Sequence, residues 1–286
     1  MSKDFNFDCT FLPKASVEFV VVSDTHYMLD QEGEPVRFES RRQQSERARV
    51  ALRQIGTLRT DFVIHLGDLV GYAPSPNDVV ALIRERTIPG VAGNYDSTVA
   101  AGHEHCGCRY EDPRQEELSR VSYEWTRANC TSETKEFLGT LPFRLDVRPL
   151  GGHTGGPRLV LVHGAPTVNT LYWTEDRDDA FCRGMAERAG LSAGDAIAFG
   201  HTHKPWSRVV DDVTFINTGS VGRPKDGDWR AGYVAIDIGG ENVSVEFVRV
   251  EYDVAAAAAA ILASDLPDAF TYFLESGGES LDPPIA

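Results

Sequence analysis

Residues 17–26 read VEFVVVSDTH, and this stretch decides the fold. Its first part, Val17–Ser23, is short, rich in β-branched residues and nearly all apolar, which is typical of a buried strand. Asp24 and His26 follow at once. Because they lie two positions apart, both side chains face one side of an extended chain and can reach one metal ion. The stretch therefore predicts a buried strand that ends on two metal ligands.

Four further segments repeat this pattern of an apolar strand followed by a polar side chain that can bind metal. The strands are predicted at Phe62–Leu66, Ile88–Ala92, Arg158–Val162 and Ala196–Phe199. The polar residues that follow them are Asp68, Asn94, His163, and the pair His201 and His203. Open α/β sheets bind ligands at the carboxyl ends of their strands, so the sequence predicts one shared site there.

Helical segments alternate with these strands, and hairpins follow them. Helices are predicted at Glu39–Arg59, Asn77–Arg86, Glu116–Cys130 and Asp178–Ala189. Hairpin turns are predicted at residues 211–212 and 239–240. This mixture predicts two packed sheets with helices outside them in a single domain, residues 1–252. Residues 253–286 are expected to be a helical tail that packs on this domain or extends from it.

Composition limits the class of protein and its partners. The chain has 286 residues, of which 42% are hydrophobic and 25% charged, as in an ordinary globular protein. Its net charge of −15 disfavours general binding to nucleic acid or to anionic membranes. The sequence has no apolar run long enough to span a bilayer. We expect neither a secretory signal nor a disulfide framework. We therefore expect a cytoplasmic protein and leave its oligomeric state open.

The predicted ligands have the chemistry of a site for two divalent metals. His201 and His203 repeat the spacing of Asp24 and His26, and the two oxygens of Asp68 can bridge two ions. The other two side chains, Asn94 and His163, complete a second ligand set. Mixed nitrogen and oxygen ligands suit Mn, Fe, Zn, Ni or Co, with manganese favoured. Paired ions about 3.5–4 Å apart are the usual apparatus for displacement at phosphorus.

In their order, the five motifs resemble the signature of the calcineurin-like metallophosphoesterases, which is D-x-H, G-D, G-N-H-[DE], H-G and G-H-x-H. The resemblance covers residues 17–250, and residues 67–76 and 217–226 resemble a compact, bacterial-type branch. It implies an α/β (α+β) fold, a four-layer αββα sandwich of two mixed sheets flanked by helices. The first ion would be held by Asp24, His26, Asp68 and His203. The second ion would be held by Asp68, Asn94, His163 and His201.

Tyr95 stands where the family usually carries a histidine. A phenol is a weaker proton donor than an imidazolium near neutral pH. Either Tyr95 simply donates a hydrogen bond to a phosphoryl oxygen, which we favour, or it shifts substrate choice towards good leaving groups. The resemblance implies catalytic roles for Asp68, Asn94, Tyr95 and His163. Substrate contacts are expected from Asn94, Tyr95 and Arg223.

Several other residues have two interpretations. Residues 103–108 (HEHCGC) could hold a structural zinc, but a loop near the active site is the better hypothesis. A separate hypothesis is that His103 or His105 in this loop supplies the proton that Tyr95 cannot. His65 is expected in the core or behind a ligand. Arg223 and Lys225 are candidate phosphate contacts, with solvated surface cations as the alternative. Tyr172 and Trp173 are candidates for a wall of the substrate site, with a place in the core as the alternative.

The sequence therefore predicts a metal-dependent phosphoric ester hydrolase that acts on a small phosphorylated substrate. A hydroxide bridging the two metals would attack phosphorus in line with the leaving oxygen, in a phosphodiester or a phosphomonoester. One alternative is a phosphoprotein phosphatase of the Ser/Thr type, although that group carries Glu where this chain has Asp96. A catalytically silent metal-binding interaction module and a nuclease are further alternatives. The complete ligand set disfavours the module, and the acidic charge disfavours the nuclease.

Overall fold

A computed structural model of the chain describes residues 5–6, 16–22, 62–110, 112–147, 157–239 and 242–283. The strands in these residues are β1 (Phe5–Asn6), β2 (Ser16–Val22), β3 (Phe62–His65), β4 (Arg144–Val147), β5 (Leu159–Val162), β6 (Ala196–Phe199), β7 (Trp206–Val210), β8 (Val213–Asn217), β9 (Ala231–Gly239) and β10 (Asn242–Val250). The helices in them are α1 (Pro76–Glu85), α2 (Asn94–Ala101), α3 (Pro113–Asn129), α4 (Ser132–Leu138), α5 (Asp179–Ala189), α6 (Val254–Leu262) and α7 (Ala269–Glu275).

The strands form two mixed sheets. The six-stranded sheet has the order β1-β4-β5-β6-β8-β7, in which β5, β6 and β8 are parallel and β4 is antiparallel to β5. The four-stranded sheet has the order β10-β9-β2-β3, in which β2 and β3 are parallel and β9 is antiparallel to both of its neighbours. Parallel neighbours end at the same edge of a sheet. The ends of β2 and β3 therefore lie together, as do the ends of β5 and β6.

The two sheets pack face to face through a layer of apolar side chains. The six-stranded sheet contributes Leu159, Leu161, Ala196 and Ala198, and the four-stranded sheet contributes Val21, Ile64, Val234, Ile236 and Ile238. Alternate side chains of a strand point to opposite faces. Val160, Ile197 and Phe199 accordingly lie on the outer face of the six-stranded sheet. Strands buried on both faces are apolar throughout, as the sequence pattern indicated.

Helices cover both outer faces. The apolar side of α5 packs on the six-stranded sheet through Cys182 and Ala189. The four-stranded sheet is covered by the other six helices in the described part of the chain, whose buried side chains share one cluster with Tyr233 and Val250 of the sheet. The layers are therefore helix, sheet, sheet and helix, and the predicted αββα architecture is confirmed. Among the described residues, no helix has the length and apolar character to cross a membrane.

Most predicted elements are present, with one correction. The predicted strand Ile88–Ala92 is wrong, because only Gly90 pairs, through a single parallel bridge to His65. Pro89 has no N–H to donate to a ladder, and the N–H of Ala92 donates instead to the carbonyl of Pro142 at 2.8 Å. The predicted helix Glu39–Arg59 lies outside the described residues.

A capping residue explains the start of one other helix. The helix predicted at Glu116–Cys130 begins earlier than expected, at Pro113, because the Asp112 carboxylate accepts a hydrogen bond from the N–H of Arg114 and caps it. Both predicted hairpins form, between β7 and β8 and between β9 and β10. The helical tail contains α6 and α7, which pack into the same cluster as α1 and α2. The division of the chain after residue 252 stays a prediction.

Candidate metal centre

Two glycines allow the loop after β3 and the loop before α2 to touch. A Cβ atom added to Gly93 would lie 2.0 Å from Oδ1 of Asp68, and one added to Gly67 would lie 2.1 Å from the nitrogen of Gly93. Neither contact is possible for a real side chain. Gly67 also has a φ of 87°, a left-handed conformation that glycine adopts at little cost. The two glycines therefore bring Asp68 and Asn94 to one point at the edge of the four-stranded sheet.

Four potential ligand atoms from both sheets converge on this point. Nε2 of His163 lies 3.1 Å from Oδ1 of Asn94 and 3.2 Å from Nδ1 of His201. The same atom lies 3.3 Å from Oδ2 of Asp68. All four residues are buried. Within the described residues, the ligand atoms of Asp68, His163 and His201 all lie within 4.8 Å of one another. This nitrogen and oxygen donor set fits a divalent transition metal.

Backbone carbonyls fix the orientation of two of the histidine rings. Nδ1 of His163 lies 2.8 Å from the carbonyl oxygen of Leu66. Nδ1 of His203 lies 2.6 Å from the carbonyl oxygen of Arg223. A carbonyl only accepts, so Nδ1 carries the proton in both rings and the lone pair of Nε2 is available to a metal. The ring of His163 is thus held as a ligand before any ion binds.

Three of the ligand residues have an unusual backbone. Asp68, His201 and His203 have φ angles of 49°, 64° and 62°, in the left-handed region. For residues other than glycine this conformation costs of the order of 1–3 kcal/mol each and clusters at functional sites. Asn217 supports the histidine turn, since its Nδ2 donates to Oγ1 of Thr202 at 2.9 Å. The placement of these three side chains therefore lowers the stability of the fold.

Asp96 joins the two ligand loops. Its carboxylate accepts the N–H of Leu69 and the N–H of Gly93, both at 2.9 Å, and it is fully buried. Burial, together with the negative charge of Asp68, raises the pKa of Asp96 to about 7. The sequence placed Asp96 in a motif without giving it this role. The only sequence signal for this role is that Asp96 is the last residue of the motif G-N-Y-D, residues 93–96.

Comparison with known proteins agrees with this geometry. The model of the calcineurin-like phosphoesterase superfamily domain matches residues 17–241. The chain belongs to this superfamily. It is 28% identical to the uncharacterized protein MJ0912 of Methanocaldococcus jannaschii over 221 residues, which are 71% of this chain and 81% of that protein.

Two solved structures share the fold of this phosphoesterase. A metallophosphoesterase from Sphaerobacter thermophilus has a TM-score of 0.63 at 24% identity, with 92% of this chain and 99% of that chain covered. The hypothetical protein PH1004 from Pyrococcus horikoshii has a TM-score of 0.68 at 18% identity, with 92% of this chain and 100% of that chain covered. These similarities are similarities of fold.

The structure brings together all four of the ligands predicted for the second ion and describes part of the first set. Asp68 and His203 are the described members of the first set. Asp24 and His26 lie outside the described residues.

Arg223 lies beside the ligand His203, to which its carbonyl is hydrogen bonded. Its guanidinium group is held between two aromatic rings, 4.0 Å from the ring centre of Tyr72 and 3.8 Å from that of Phe273. Lys225 is tied to the same turn by a hydrogen bond of 3.2 Å from its N–H to the carbonyl of His203. Arg223 therefore has an ordered guanidinium group and a backbone contact to the predicted ligand His203, and its contact with substrate stays a prediction.

Tyr95 is positioned differently from the predicted ligands. Its N–H donates to Asp68 at 3.0 Å, but its ring is buried between those of Tyr72 and Tyr123. Its hydroxyl lies 3.4 Å from Oγ of Ser122 in α3. Burial raises the pKa of this phenol well above its ordinary value. The side chain thus contributes to packing between α2 and α3, and its predicted role in substrate binding gains no support from these contacts.

The loop 103–108 lies against Asn94, and its described side chains do not converge in the way that a structural zinc site requires. Nδ2 of Asn94 donates to the carbonyl of Cys106 and to Sγ of Cys108, both at 3.2 Å. Within the described residues, His103, His105 and the two cysteines do not form a group of three converging ligands. His103 and His105 are exposed, and their role as proton donors stays a prediction.

Two further expectations have clear outcomes. Trp173 is fully buried and stacks on Phe199 with ring centres 4.2 Å apart, so its placement in a substrate wall is wrong. The ring of Tyr172 lies 4.5 Å from that of His201, beside the metal centre. His65 lies in the core, where its Nδ1 accepts the N–H of Gly67 at 3.3 Å. The prediction of a core histidine is confirmed.

Proposed function

We propose that this phosphoesterase hydrolyses a small phosphorylated substrate, a diester or a monoester, at a centre for two divalent transition-metal ions. The observation that carries the proposal is the meeting of Asp68, Asn94 and His201 around Nε2 of His163, at 3.1–3.3 Å. Buried polar atoms of this kind are costly unless they are paired or coordinate a metal. A cation between them would satisfy all four.

The ligand sets follow from the placement of these side chains. Asp68, Asn94, His163 and His201 would hold one ion. Asp68 and His203, with Asp24 and His26, would hold the other. Manganese is our first choice, and Fe, Zn, Ni or Co suit the same donors. When bound, the ions activate water as a nucleophile and neutralise charge on the phosphoryl oxygens.

The protein side chains supply orientation and a further positive charge. The hydrogen bond from His163 to the Leu66 carbonyl holds the imidazole with Nε2 facing the other ligands. Asn94 is held by two acceptors, so its oxygen faces His163 and its nitrogen faces away. Arg223, fixed between two rings, offers a cation to the phosphoryl group. Because such groups are placed before the substrate binds, they need no reorganisation during the reaction.

The charge of the chain supports a small substrate, and we propose that the protein acts in the cytoplasm. A net charge of −15 repels polyanions such as nucleic acid at long range. A compact phosphate ester is attracted by the local charge of the metal centre and of Arg223 instead. We therefore propose that nucleic acids and membranes are not partners of this protein.

A substrate panel with defined metals tests the proposal. The protein is stripped with a chelator and assayed on an aryl monoester, an aryl diester, a cyclic nucleotide and a phosphopeptide, with Mn, Ni, Zn, Fe and Mg supplied in turn. We expect hydrolysis only with metal. Asp68→Asn is expected to lower the rate by at least about 100-fold, whereas Asp176→Asn, a change to an exposed carboxylate, leaves it unchanged.

Two results would overturn this proposal. One is equal activity of the metal-free and the metal-loaded protein. The other is a fully metal-loaded protein that hydrolyses none of the esters, which would favour the interaction module. Hydrolysis of the phosphopeptide alone would assign the phosphoprotein class instead of a small substrate.

A further inference from the structure

Cys106 and Cys108 lie two positions apart in the loop that contacts Asn94, a predicted metal ligand. Gly107 between them has a φ of 77°, which turns the loop tightly. The N–H of Cys108 donates to Sγ of Cys106 at 3.4 Å. The carbonyl of Cys106 and Sγ of Cys108 are both acceptors for Nδ2 of Asn94. One short loop therefore contains two adjacent thiols and the contacts that orient a metal ligand.

A small oxidant can reach this pair. Both cysteines line a cavity of about 440 Å³, whose wall also includes His105, Tyr110 and Ser119. His105 is exposed, so the cavity meets the surface of the protein at this residue. The other two described cysteines lie outside this cavity wall.

Those other cysteines serve as internal comparisons. Cys130 is buried, and so is Cys182, which lies 2.8 Å from Nη2 of Arg208 on the far side of the six-stranded sheet. Within the described residues, Cys106 and Cys108 are the pair that combines mutual contact with a position at a cavity. Oxidation is therefore expected to select this pair over Cys130 and Cys182.

We propose that Cys106 and Cys108 are a modification site, at which a peroxide forms a reversible disulfide that releases Asn94 from its metal-binding orientation. The effect on the metal rests on the function proposed above. One hydrogen peroxide molecule accepts two electrons from the two thiols. The S–S bond forms, both S–H bonds and the O–O bond break, and two water molecules leave. A thiol reductant of the dithiothreitol type reverses the reaction by thiol–disulfide exchange.

The consequence for the metal centre follows from the contacts of Asn94. A bond to Sγ of Cys106 draws Sγ of Cys108 away from Nδ2 of Asn94, and the turn at Gly107 has to adjust. The amide then loses the acceptors that hold its oxygen towards His163. Loss of a partner that orients a ligand typically weakens metal binding by about 10- to 100-fold. Peroxide is therefore expected to weaken the site to which Asn94 belongs, without breaking the fold.

Peptide mapping tests the chemistry by itself. The metal-loaded protein is treated with peroxide, its remaining thiols are alkylated, and it is digested with trypsin. Residues 87–109 form one tryptic peptide that contains both cysteines, while Cys130 and Cys182 lie in residues 128–135 and 178–183. We expect the first peptide to be unalkylated and lighter by two hydrogens, and the other two to be alkylated. Reduction restores both alkylation sites. A first peptide that stays doubly alkylated, or that gains oxygen instead, overturns the proposal.

Metal binding tests the consequence. Manganese affinity is measured by titration of the reduced and the oxidised protein, with Cys106→Ser and Cys130→Ser beside them. Cys106→Ser cannot form the disulfide but keeps the backbone carbonyl that accepts from Asn94. We expect peroxide to weaken binding by about 10- to 100-fold in the parent and in Cys130→Ser, and to leave Cys106→Ser unchanged.

The outcomes separate this inference from the function on which it rests. A disulfide that forms without any change in manganese affinity overturns the switch and leaves the proposed function intact. A reduced protein that binds no manganese overturns the proposed function, and peptide mapping still decides whether the disulfide forms.

Discussion

Gly93 is the residue on which the convergence of the ligands depends most directly. Its missing side chain leaves room for the carboxylate of Asp68, which would lie 2.0 Å from a Cβ atom at this position. Asp96 then joins the same two loops from the other side by accepting the N–H groups of Gly93 and Leu69. The site thus depends on one residue with no side chain and on one buried carboxylate that is not among the predicted metal ligands.

Gly93→Ala is therefore expected to damage the metal centre. Asp68 or the whole loop would have to move, and we expect manganese binding to weaken by about 10- to 100-fold, with a lower melting temperature. Gly139→Ala is the matched control, because a Cβ there makes only ordinary contacts, from 3.4 Å, and φ is −67°. Isothermal titration and thermal unfolding measure both effects. Equal manganese affinity in Gly93→Ala and Gly139→Ala would show that the loops do not need this close approach.

His65 predicts a pH dependence of stability. Burial lowers its pKa from 6.5 to about 3, so the imidazole is neutral in the folded protein and its protonation is disfavoured. The stability contributed by the neutral ring is fully present above pH 6.5 and is lost as the pH falls from 6.5 towards 3. The loss from this residue approaches about 1.4 kcal/mol for each pH unit in that range.

Urea unfolding between pH 5 and pH 7 measures this effect. His65→Asn is the comparison, because an amide oxygen can accept the N–H of Gly67 in place of Nδ1 but does not titrate. The parent is expected to lose stability relative to His65→Asn as the pH falls. Parallel pH profiles for the two proteins would mean that His65 is not held neutral by the fold.

At the scale of elements, the strands that are followed by a predicted ligand are predicted well from the sequence. The strands β3, β5 and β6 are predicted from runs of apolar residues. Asp68, His163 and His201 follow the ends of these strands, as expected. The segment Ile88–Ala92 has the same apolar character, but Pro89 and the approach to Gly67 prevent a strand there. Pro89 is visible in the sequence, whereas the approach to Gly67 involves a neighbour distant in sequence and is not part of a local pattern.

Helix α2 and the loop after it are a part of the site that local sequence patterns do not predict. The motif residue Asn94 begins a helix of eight residues that the pattern did not predict. The orientation of its amide is decided by Cys106 and Cys108, in the loop that follows α2. Motif spacing predicts Asn94 as a ligand, whereas the groups that orient its amide are known only once the chain is folded.

Helix α7 contributes to the site through Phe273, which stacks on Arg223. Phe273→Leu keeps an apolar side chain but removes the ring from one side of the guanidinium. Cation–π contacts are worth about 0.5–2 kcal/mol, which corresponds to a rise in KM of about 2- to 30-fold for an aryl phosphate. We expect kcat to change little, because the metal ligands are untouched.

Phe181→Leu is the control for this prediction. It removes a ring that also faces an arginine, Arg177 at 5.3 Å, but on the outer face of the six-stranded sheet. Steady-state kinetics of both variants separate a role in the site from a general loss of packing. A KM that rises equally in both, or in neither, would contradict the role of α7.

At the scale of the whole molecule, the metal centre joins the two sheets. Asp68 follows β3 of the four-stranded sheet, and His163 and His201 follow β5 and β6 of the six-stranded sheet. Elsewhere the sheets are held together by the apolar layer between them, which does not include the ligands. The fold is therefore expected to survive without metal, and the ions are expected to stabilise the edge at which the sheets meet.

This arrangement predicts that metal binding stabilises the folded protein as a whole. A ligand that binds only the folded state at 100 times its Kd adds about 2.7 kcal/mol to the free energy of unfolding. Manganese should therefore raise the melting temperature, and a chelator should lower it without loss of the far-ultraviolet circular dichroism of the folded protein. In Asp68→Asn, which lacks the carboxylate from the four-stranded sheet, the increase should be small or absent. A full increase in Asp68→Asn would mean that manganese stabilises the protein at some other place and that the two sheets are not joined through Asp68.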